Sequence, residues 1–143
     1  MNILLVSHGG LSAGAAEAFG RFSPGATCVS SLGLTEGGGI ALFREELNKT
    51  LDELLSQGDV LVIADLKGGT PYNEAYARFL GDPEHLRLIA GLNLPMLIEC
   101  GVLAVSGADL QTVYETALRA GAEGVQGTEL PDEQSNDEDD DLF

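Results

Sequence analysis

The sequence predicts an α/β fold: a doubly wound, mostly parallel sheet of four strands with helices on both faces. Short apolar, β-branched runs alternate with longer segments in which apolar residues recur every three or four positions, and glycine-rich stretches separate the two. The 143 residues are 44% hydrophobic, which is enough for one sizeable core. Strands that alternate with helices in this way are typical of a parallel sheet with crossover helices.

Four apolar runs are predicted to be strands. They cover residues 2–6 (NILLV), 27–32 (TCVSSL), 59–64 (DVLVIA) and 85–90 (HLRLIA). The first and third runs are the most continuously apolar, as expected for strands that are covered on both faces. We therefore place these two strands in the centre of the sheet.

Five helices are predicted between and after the strands. Residues 12–22 form the first, and residues 39–56 form the second, in which apolar side chains make one continuous stripe. The other three are predicted from their start signals: Thr70 as an N-cap before Pro71, Asn93 with Pro95, and Asp109. These last helices are expected over about 70–81, from 93 onward, and over 109–122.

The formal charge of -16, from 23 acidic and 7 basic residues, is unevenly distributed. Eight acids and no base lie in residues 129–143, which have few apolar side chains, so we expect a disordered acidic tail after a domain of residues 1–128. Clustered Lys and Arg, which bind phosphate backbones and anionic lipids, are absent from the sequence. The composition therefore predicts no nucleic-acid partner.

The remaining composition points to a cytoplasmic protein without direct membrane insertion. The N-terminal apolar run has no basic region before it and is too short for a signal peptide or a membrane span. Cys28 and Cys100 are far apart and have apolar neighbours, so they are interpreted as buried thiols. No metal site and no cofactor are predicted.

Polar and glycine-rich residues follow three of the predicted strands. Residues 7–10 (SHGG), 65–73 (DLKGGTPYN) and 91–96 (GLNLPM) occupy these positions. Ligands bind outside the carboxyl ends of the strands in an open parallel sheet, so the three segments are expected to meet at one rim. The glycines at 37–39 are interpreted as a flexible loop without a role in phosphate binding.

His8 and Asp65 end the two central strands and are expected to be neighbours in space. A carboxylate beside an imidazole holds one ring nitrogen as an N–H donor and leaves the other as a nucleophile. Gly68, Gly69 and Thr70 offer backbone N–H groups and a hydroxyl at a helix start, which suits a phosphoryl group. Taken singly, each of these residues is also compatible with a cap or a tight turn.

With these motifs the sequence resembles the enzyme IIA domain of the mannose, fructose and sorbose family of the bacterial sugar phosphotransferase system. Three segments carry the resemblance: Ser7-His8-Gly9, residues 65–73, and residues 91–97 (GLNLPML). The resemblance implies a phosphocarrier in which His8 takes a phosphoryl group from the histidine phosphocarrier protein. His8 then passes the group to a IIB component for sugar uptake and phosphorylation. Asp65 matches the aspartate that hydrogen-bonds the histidine, and Thr70 matches a Ser or Thr near the phosphoryl group.

The resemblance also implies a homodimer that exchanges a short antiparallel edge strand, for which residues 123–128 (EGVQGT) are a weak candidate. Two features depart from the family pattern. Lys67 stands where an aromatic or apolar residue is common, and it is interpreted either as a solvated lysine or as a contact to the phosphoryl group or a partner. The acidic tail stands where many members continue into a IIB domain, so a separate IIB protein is expected.

Two other functions remain open at this stage. One is a regulatory IIA-like protein whose phosphorylation on His8 controls a binding partner. The other is the phosphoryl-donor subunit of dihydroxyacetone kinase, against which the Gly-Gly-Thr-Pro-Tyr-Asn and Asn-Leu-Pro-Met stretches argue. A histidine phosphatase is excluded because that chemistry needs an arginine directly before the histidine, where this chain has Ser7.

Overall fold

A computed structural model describes residues 1–132, which form a four-stranded parallel sheet and five helices. Their order is β1 (Asn2–His8), α1 (Leu11–Phe22), β2 (Val29–Leu34), α2 (Gly39–Leu55), β3 (Val60–Ala64), α3 (Thr70–Gly81), β4 (Leu86–Ala90), α4 (Leu94–Val105) and α5 (Leu110–Glu123). The predicted α/β class is confirmed. The four strands predicted for the sheet and the five predicted helices are present, with boundaries that shift by one or two residues.

The strands lie in the order β2-β1-β3-β4, and all three pairings are parallel. The central positions predicted for β1 and β3 are confirmed, and every residue of β3 is buried. The chain moves outward from β1 to β2 and then returns to the other side of β1 for β3 and β4. This reversal creates a crevice at the carboxyl ends of β1 and β3, the place where open α/β sheets bind ligands.

The sheet has an apolar core on each face because successive side chains of a strand point to opposite sides. Ile3 and Leu5 of β1 face α1, α4 and α5, where they pack in one cluster with Phe19 and Leu97. Their neighbours on β1 face the other side and join a second cluster with α2 and α3, which includes Leu4, Val6, Val62, Phe43 and Leu47. Both cores fix β1 and β3, and therefore the rim above them.

The start of α3 differs from the prediction. The N-cap is Gly69, not Thr70, and Thr70 and Pro71 are the first two residues of the helix. Gly68 has a φ of 83°, and the turn it makes leaves Gly69 in the extended conformation of a cap, so the helix begins one residue early. The other two predicted caps are confirmed: Asn93 accepts a hydrogen bond from the Met96 N–H, and Asp109 accepts one from the Thr112 N–H.

The segment after α5 does not contain the predicted strand in the single chain. Glu123 is the last residue of α5, and residues 125–132 have no regular secondary structure. A strand needs a neighbour for its hydrogen bonds, and an exchanged strand finds that neighbour in a second chain. The exchange in a homodimer therefore stays a prediction. The predicted disorder of residues 129–143 falls mostly on residues 133–143, outside the described residues.

The two cysteines lie in or beside the core formed with α1, α4 and α5. Cys100 is buried as predicted, whereas Cys28 is half-buried, and both are free thiols. Burial raises the pKa of both thiols, that of Cys100 to about 12. In residues 1–132, no helix has the length and apolarity that crossing a membrane requires.

Candidate functional site at the rim of the sheet

His8 and Asp65 form a hydrogen-bonded pair at the carboxyl ends of the two central strands. The Nδ1 atom of His8 lies 2.9 Å from Oδ2 of Asp65, and the same oxygen accepts the backbone N–H of His8 at 3.0 Å. The His8 side chain is 48% exposed, whereas that of Asp65 is only 10% exposed. The structure thus brings together the two residues that the sequence placed 57 positions apart, with the imidazole outermost.

This pairing fixes which ring nitrogen of His8 is available for chemistry. Burial raises the pKa of the Asp65 carboxyl, but hydrogen bonds from the backbone and the ring of His8 outweigh it and leave the pKa below its ordinary value. Asp65 is therefore a carboxylate at neutral pH, and a carboxylate only accepts hydrogen bonds. In the neutral ring Nδ1 then carries the proton, and Nε2 has the lone pair.

The loop from Asp65 to α3 packs against the exposed ring of His8. A Cβ atom placed on Gly69 would lie 2.7 Å from Cε1 and 3.4 Å from Nε2 of His8, so the ring occupies the space that a side chain would fill. The Asn73 side chain donates a hydrogen bond to the Gly68 carbonyl at 3.1 Å and ties the loop to the first turn of α3. Gly69 therefore sits beside the lone-pair nitrogen.

The predicted phosphoryl-binding residues Gly68, Gly69 and Thr70 all lie in this loop and in the first turn of α3. The N–H groups of the first turn of a helix have no acceptor within the helix and give that end a partial positive charge. The Thr70 hydroxyl is not used as a cap, and it makes no hydrogen bond to other groups in residues 1–132. The loop thus presents donors suited to an anion close to His8.

A second hydrogen-bonded group, which the sequence analysis missed, supports the segment after His8. The buried Ser7 hydroxyl accepts the Ser12 N–H at 2.8 Å, and the buried Ser12 hydroxyl donates to the Leu32 carbonyl at 3.2 Å. The N-cap of α1 is Gly10, which has no side chain to cap the helix, so Ser7 takes that role from the end of β1. The sequence feature that could have predicted this contact is the serine at the end of β1, five residues before the serine in the first turn of α1.

A cleft of about 890 Å³ opens beside His8 on the side of β2. Its walls come from the end of β1, the end of β2 and the start of α2, and they include His8, Gly9, Gly33, Thr35, Glu36 and Gly39. The glycine loop at 37–39, interpreted from sequence as a flexible loop without a role in phosphate binding, contributes Gly39 to a wall of this cleft. Glu36 is the carboxylate among these lining residues.

Gly33 permits the close approach of the backbones of β2 and the turn after β1. A Cβ atom on Gly33 would overlap the carbonyl oxygen of Gly9, and the Gly9 N–H donates to the Leu34 carbonyl at 2.8 Å. A glycine inside a strand often marks such an approach. No role was predicted for Gly33 from the sequence.

The Asn93–Met96 segment has a structural role. Besides capping α4, Asn93 donates from Nδ2 to the Gly121 carbonyl at 3.0 Å and so joins α4 to the end of α5. Met96 is buried against Gly121. Asn93 therefore satisfies backbone groups of α4 and α5. No three His, Cys, Asp or Glu side chains within residues 1–132 are arranged to hold a metal ion.

Substitution of Gly69 by alanine is expected to displace the His8 ring and to lower any reaction at Nε2 about tenfold, because reacting groups are sensitive to displacements near 1 Å. The backbone of Gly69 has a negative φ, so an alanine fits there without backbone strain. Rates of His8 modification and thermal unfolding of Gly69→Ala, compared with wild type, measure the effect. The matched control is Gly20→Ala in α1, where an added Cβ meets nothing within 4 Å. Equal rates in Gly69→Ala and wild type would contradict the close fit of the ring.

The sequence of this chain is similar to those of a known protein family. The sequence profile of the family described as "PTS system fructose IIA component" matches residues 2–118. The chain belongs to this enzyme IIA family. The match covers β1 to β4 and α4 entirely, and it includes both His8 and Asp65.

Two curated relatives show the same family. The fructose-specific EIIA component of Bacillus subtilis is 28% identical over 99 residues, which are 69% of this chain and 67% of that protein. The mannose-specific EIIAB component of Escherichia coli K12 is 35% identical over 82 residues, 57% of this chain. The latter match spans a quarter of the length of the E. coli protein.

A solved structure of an enzyme IIA has the same fold. The mannose/sorbose-specific IIA subunit from Enterococcus faecalis superimposes with a TM-score of 0.77 at 27% identity, covering 92% of this chain and 96% of that one. Membership of the family links this enzyme IIA to phosphoryl transfer in sugar uptake.

Proposed function

We propose that this enzyme IIA is a phosphocarrier that takes a phosphoryl group on Nε2 of His8 from the histidine phosphocarrier protein and passes it to a separate IIB component. The observation that carries the proposal is the His8–Asp65 pair, in which the inner nitrogen is held as a donor and the outer nitrogen is left with its lone pair at an exposed rim. The predicted homodimer and cytoplasmic location are part of this proposal.

The transfer step balances without a metal ion or a cofactor. The lone pair of Nε2 attacks the phosphorus of the phosphohistidine donor, and the P–N bond of the donor breaks with its electron pair left on the donor's imidazole. The His8 ring gains a positive charge when Nε2 bonds to phosphorus, because Nδ1 keeps its proton. The Asp65 carboxylate at 2.9 Å stabilises this charge. Transfer to the IIB component reverses these changes.

The interactions around His8 are strong enough to hold a phosphoryl group and weak enough to let it leave. A phosphoryl group about 6 Å from Asp65 is repelled by about 3 kcal/mol per pair of unit charges at an effective dielectric constant near 20. Each charge-assisted hydrogen bond from the loop returns about 1.5 to 3 kcal/mol. The N–H groups at the start of α3 and the Thr70 hydroxyl can therefore offset the repulsion of one such pair of charges.

The test is incubation of the protein with phosphoenolpyruvate, enzyme I and the histidine phosphocarrier protein, followed by mass measurement. We expect a gain of one phosphoryl group that is lost on acid treatment. An unmodified mass under conditions that label a known enzyme IIA would contradict the proposal.

Addition of IIB proteins from the same cell then tests the second half of the reaction. We expect the label to leave His8 and to appear on a IIB protein. If the labelled chain transfers nothing to any of them, a regulatory function that depends on the phosphorylation state replaces the transport function.

A further inference from the structure

Lys67 is an unpaired cation in the loop that packs against His8. The chain has seven basic residues, and each of its five arginines has a polar partner. Lys49 and Lys67 are both exposed, and their side chains make no ion pair or hydrogen bond within residues 1–132. Lys67 is the lysine of this pair that lies at the rim, in the loop beside His8.

The loop geometry places Lys67 within reach of a group on Nε2 of His8. Gly69 touches the ring edge that carries Cε1 and Nε2, and Lys67 precedes it by two residues, which span at most about 7 Å. Gly68 lies between them with a φ of 83° and turns the chain, so the actual separation is shorter than that of an extended segment. The four-carbon stem of lysine then covers the remaining distance.

The charges at the rim favour a phosphoryl group as the partner of this cation. Asp65 is a carboxylate below the ring, and Glu36 lines the cleft beside it, so both add to the repulsion that a phosphoryl dianion meets. Backbone N–H groups carry only partial charges. Lys67 carries the one full positive charge in the loop from Asp65 to Thr70.

We propose that Lys67 binds the phosphoryl oxygens on His8 and thereby stabilises the phosphorylated form of this enzyme IIA. The inference rests on the proposed phosphocarrier function and adds a residue to it. Lysine suits a group that arrives and leaves, because its ammonium is a point charge on a flexible stem and requires no fixed bidentate geometry. Lys67 thus acts on the phosphorylated state, whereas Asp65 orients the free ring.

The experiment measures how a phosphoryl group divides at equilibrium between the histidine phosphocarrier protein and this chain. In Lys67→Met we expect the equilibrium constant for phosphoryl transfer from the histidine phosphocarrier protein to this chain to fall about tenfold. In Lys67→Glu the same constant should fall further. Lys67→Arg should restore most of the wild-type value. The effect should shrink when the salt concentration is raised, since an exposed charge pair is screened.

Lys49→Met is the matched control, because Lys49 is the other exposed, unpaired lysine. It lies ten residues along α2 from Gly39, about 15 Å from the rim end of that helix. We expect wild-type partition in this variant.

Unchanged partition in Lys67→Met would overturn the inference. An unchanged partition with a higher donor concentration for half-maximal rate would also overturn it, since Lys67 would then bind the donor protein. Failure to label the wild type would instead count against the proposed function.

Discussion

His8→Ala is expected to abolish phosphorylation, while His85→Ala is phosphorylated like the wild type. The comparison is sharp because the chain has two histidines and both are hydrogen-bonded to an aspartate: Nδ1 of His85 lies 2.8 Å from Oδ1 of Asp59. Removal of the nucleophile leaves no imidazole nitrogen for the phosphoryl group at the rim in residues 1–132, so the loss should be complete. Mass measurement after incubation with the phosphoryl donor, with thermal unfolding to verify folding, checks both variants.

The two histidines differ in their place on the sheet. His85 directly precedes β4, so it lies at the amino ends of the strands, opposite the rim that contains His8. A hydrogen bond that His85 donates to Asp59 and the charges of nearby acids, Asp82 among them, raise the pKa of His85. The cleft at His85 is lined by the end of α2, by Gly58 and by the two aspartates Asp59 and Asp82. Phosphorylation of the His8→Ala variant at His85 would show that a His–Asp pair suffices and that the rim contributes nothing.

The fold was predictable from the sequence because its central strands are unmistakable. Residues 3–6 and 60–64 are continuous apolar runs, and they are buried on both faces as such runs require. The pairing of His8 with Asp65 followed from the same fact, since the ends of adjacent parallel strands meet at one edge. Local sequence patterns were therefore sufficient to predict the contact between the ends of β1 and β3.

The features that were missed depend on contacts between distant segments. Gly33 pairs with Ser7 across the β1–β2 register and approaches Gly9, and neither contact is visible in the residues around position 33. The cap of α3 was misplaced by one residue because Gly68 turns the chain before it, whereas a Thr-Pro pair is a good local start signal. The strand at 123–128 was inferred from family resemblance, and its hydrogen-bonding partner would belong to another chain.

Asp65→Ala is expected to slow phosphoryl transfer to His8 about 10²-fold while the fold remains intact. The substitution removes two hydrogen bonds at Oδ2 and the charge that stabilises the positively charged ring, a loss of about 3 kcal/mol when the bond to a charged group dominates. The ring is then free to rotate and to carry its proton on either nitrogen. Single-turnover rates from the phosphorylated donor protein measure the loss, and urea unfolding reports on stability.

Asp65→Asn separates the two contributions of this carboxylate. An amide oxygen in the position of Oδ2 still accepts from both the backbone N–H and Nδ1 of His8, but it carries no charge to stabilise the phosphorylated ring. If orientation of the ring is the main role, Asp65→Asn will transfer far faster than Asp65→Ala; if the charge is the main role, the two variants will be equally slow. Asp59→Ala, which removes the carboxylate beside His85, is the matched control and should transfer at the wild-type rate. A wild-type rate in Asp65→Ala would mean that exposure of Nε2 alone makes His8 reactive, and the pair would then be only a structural contact at the end of β1.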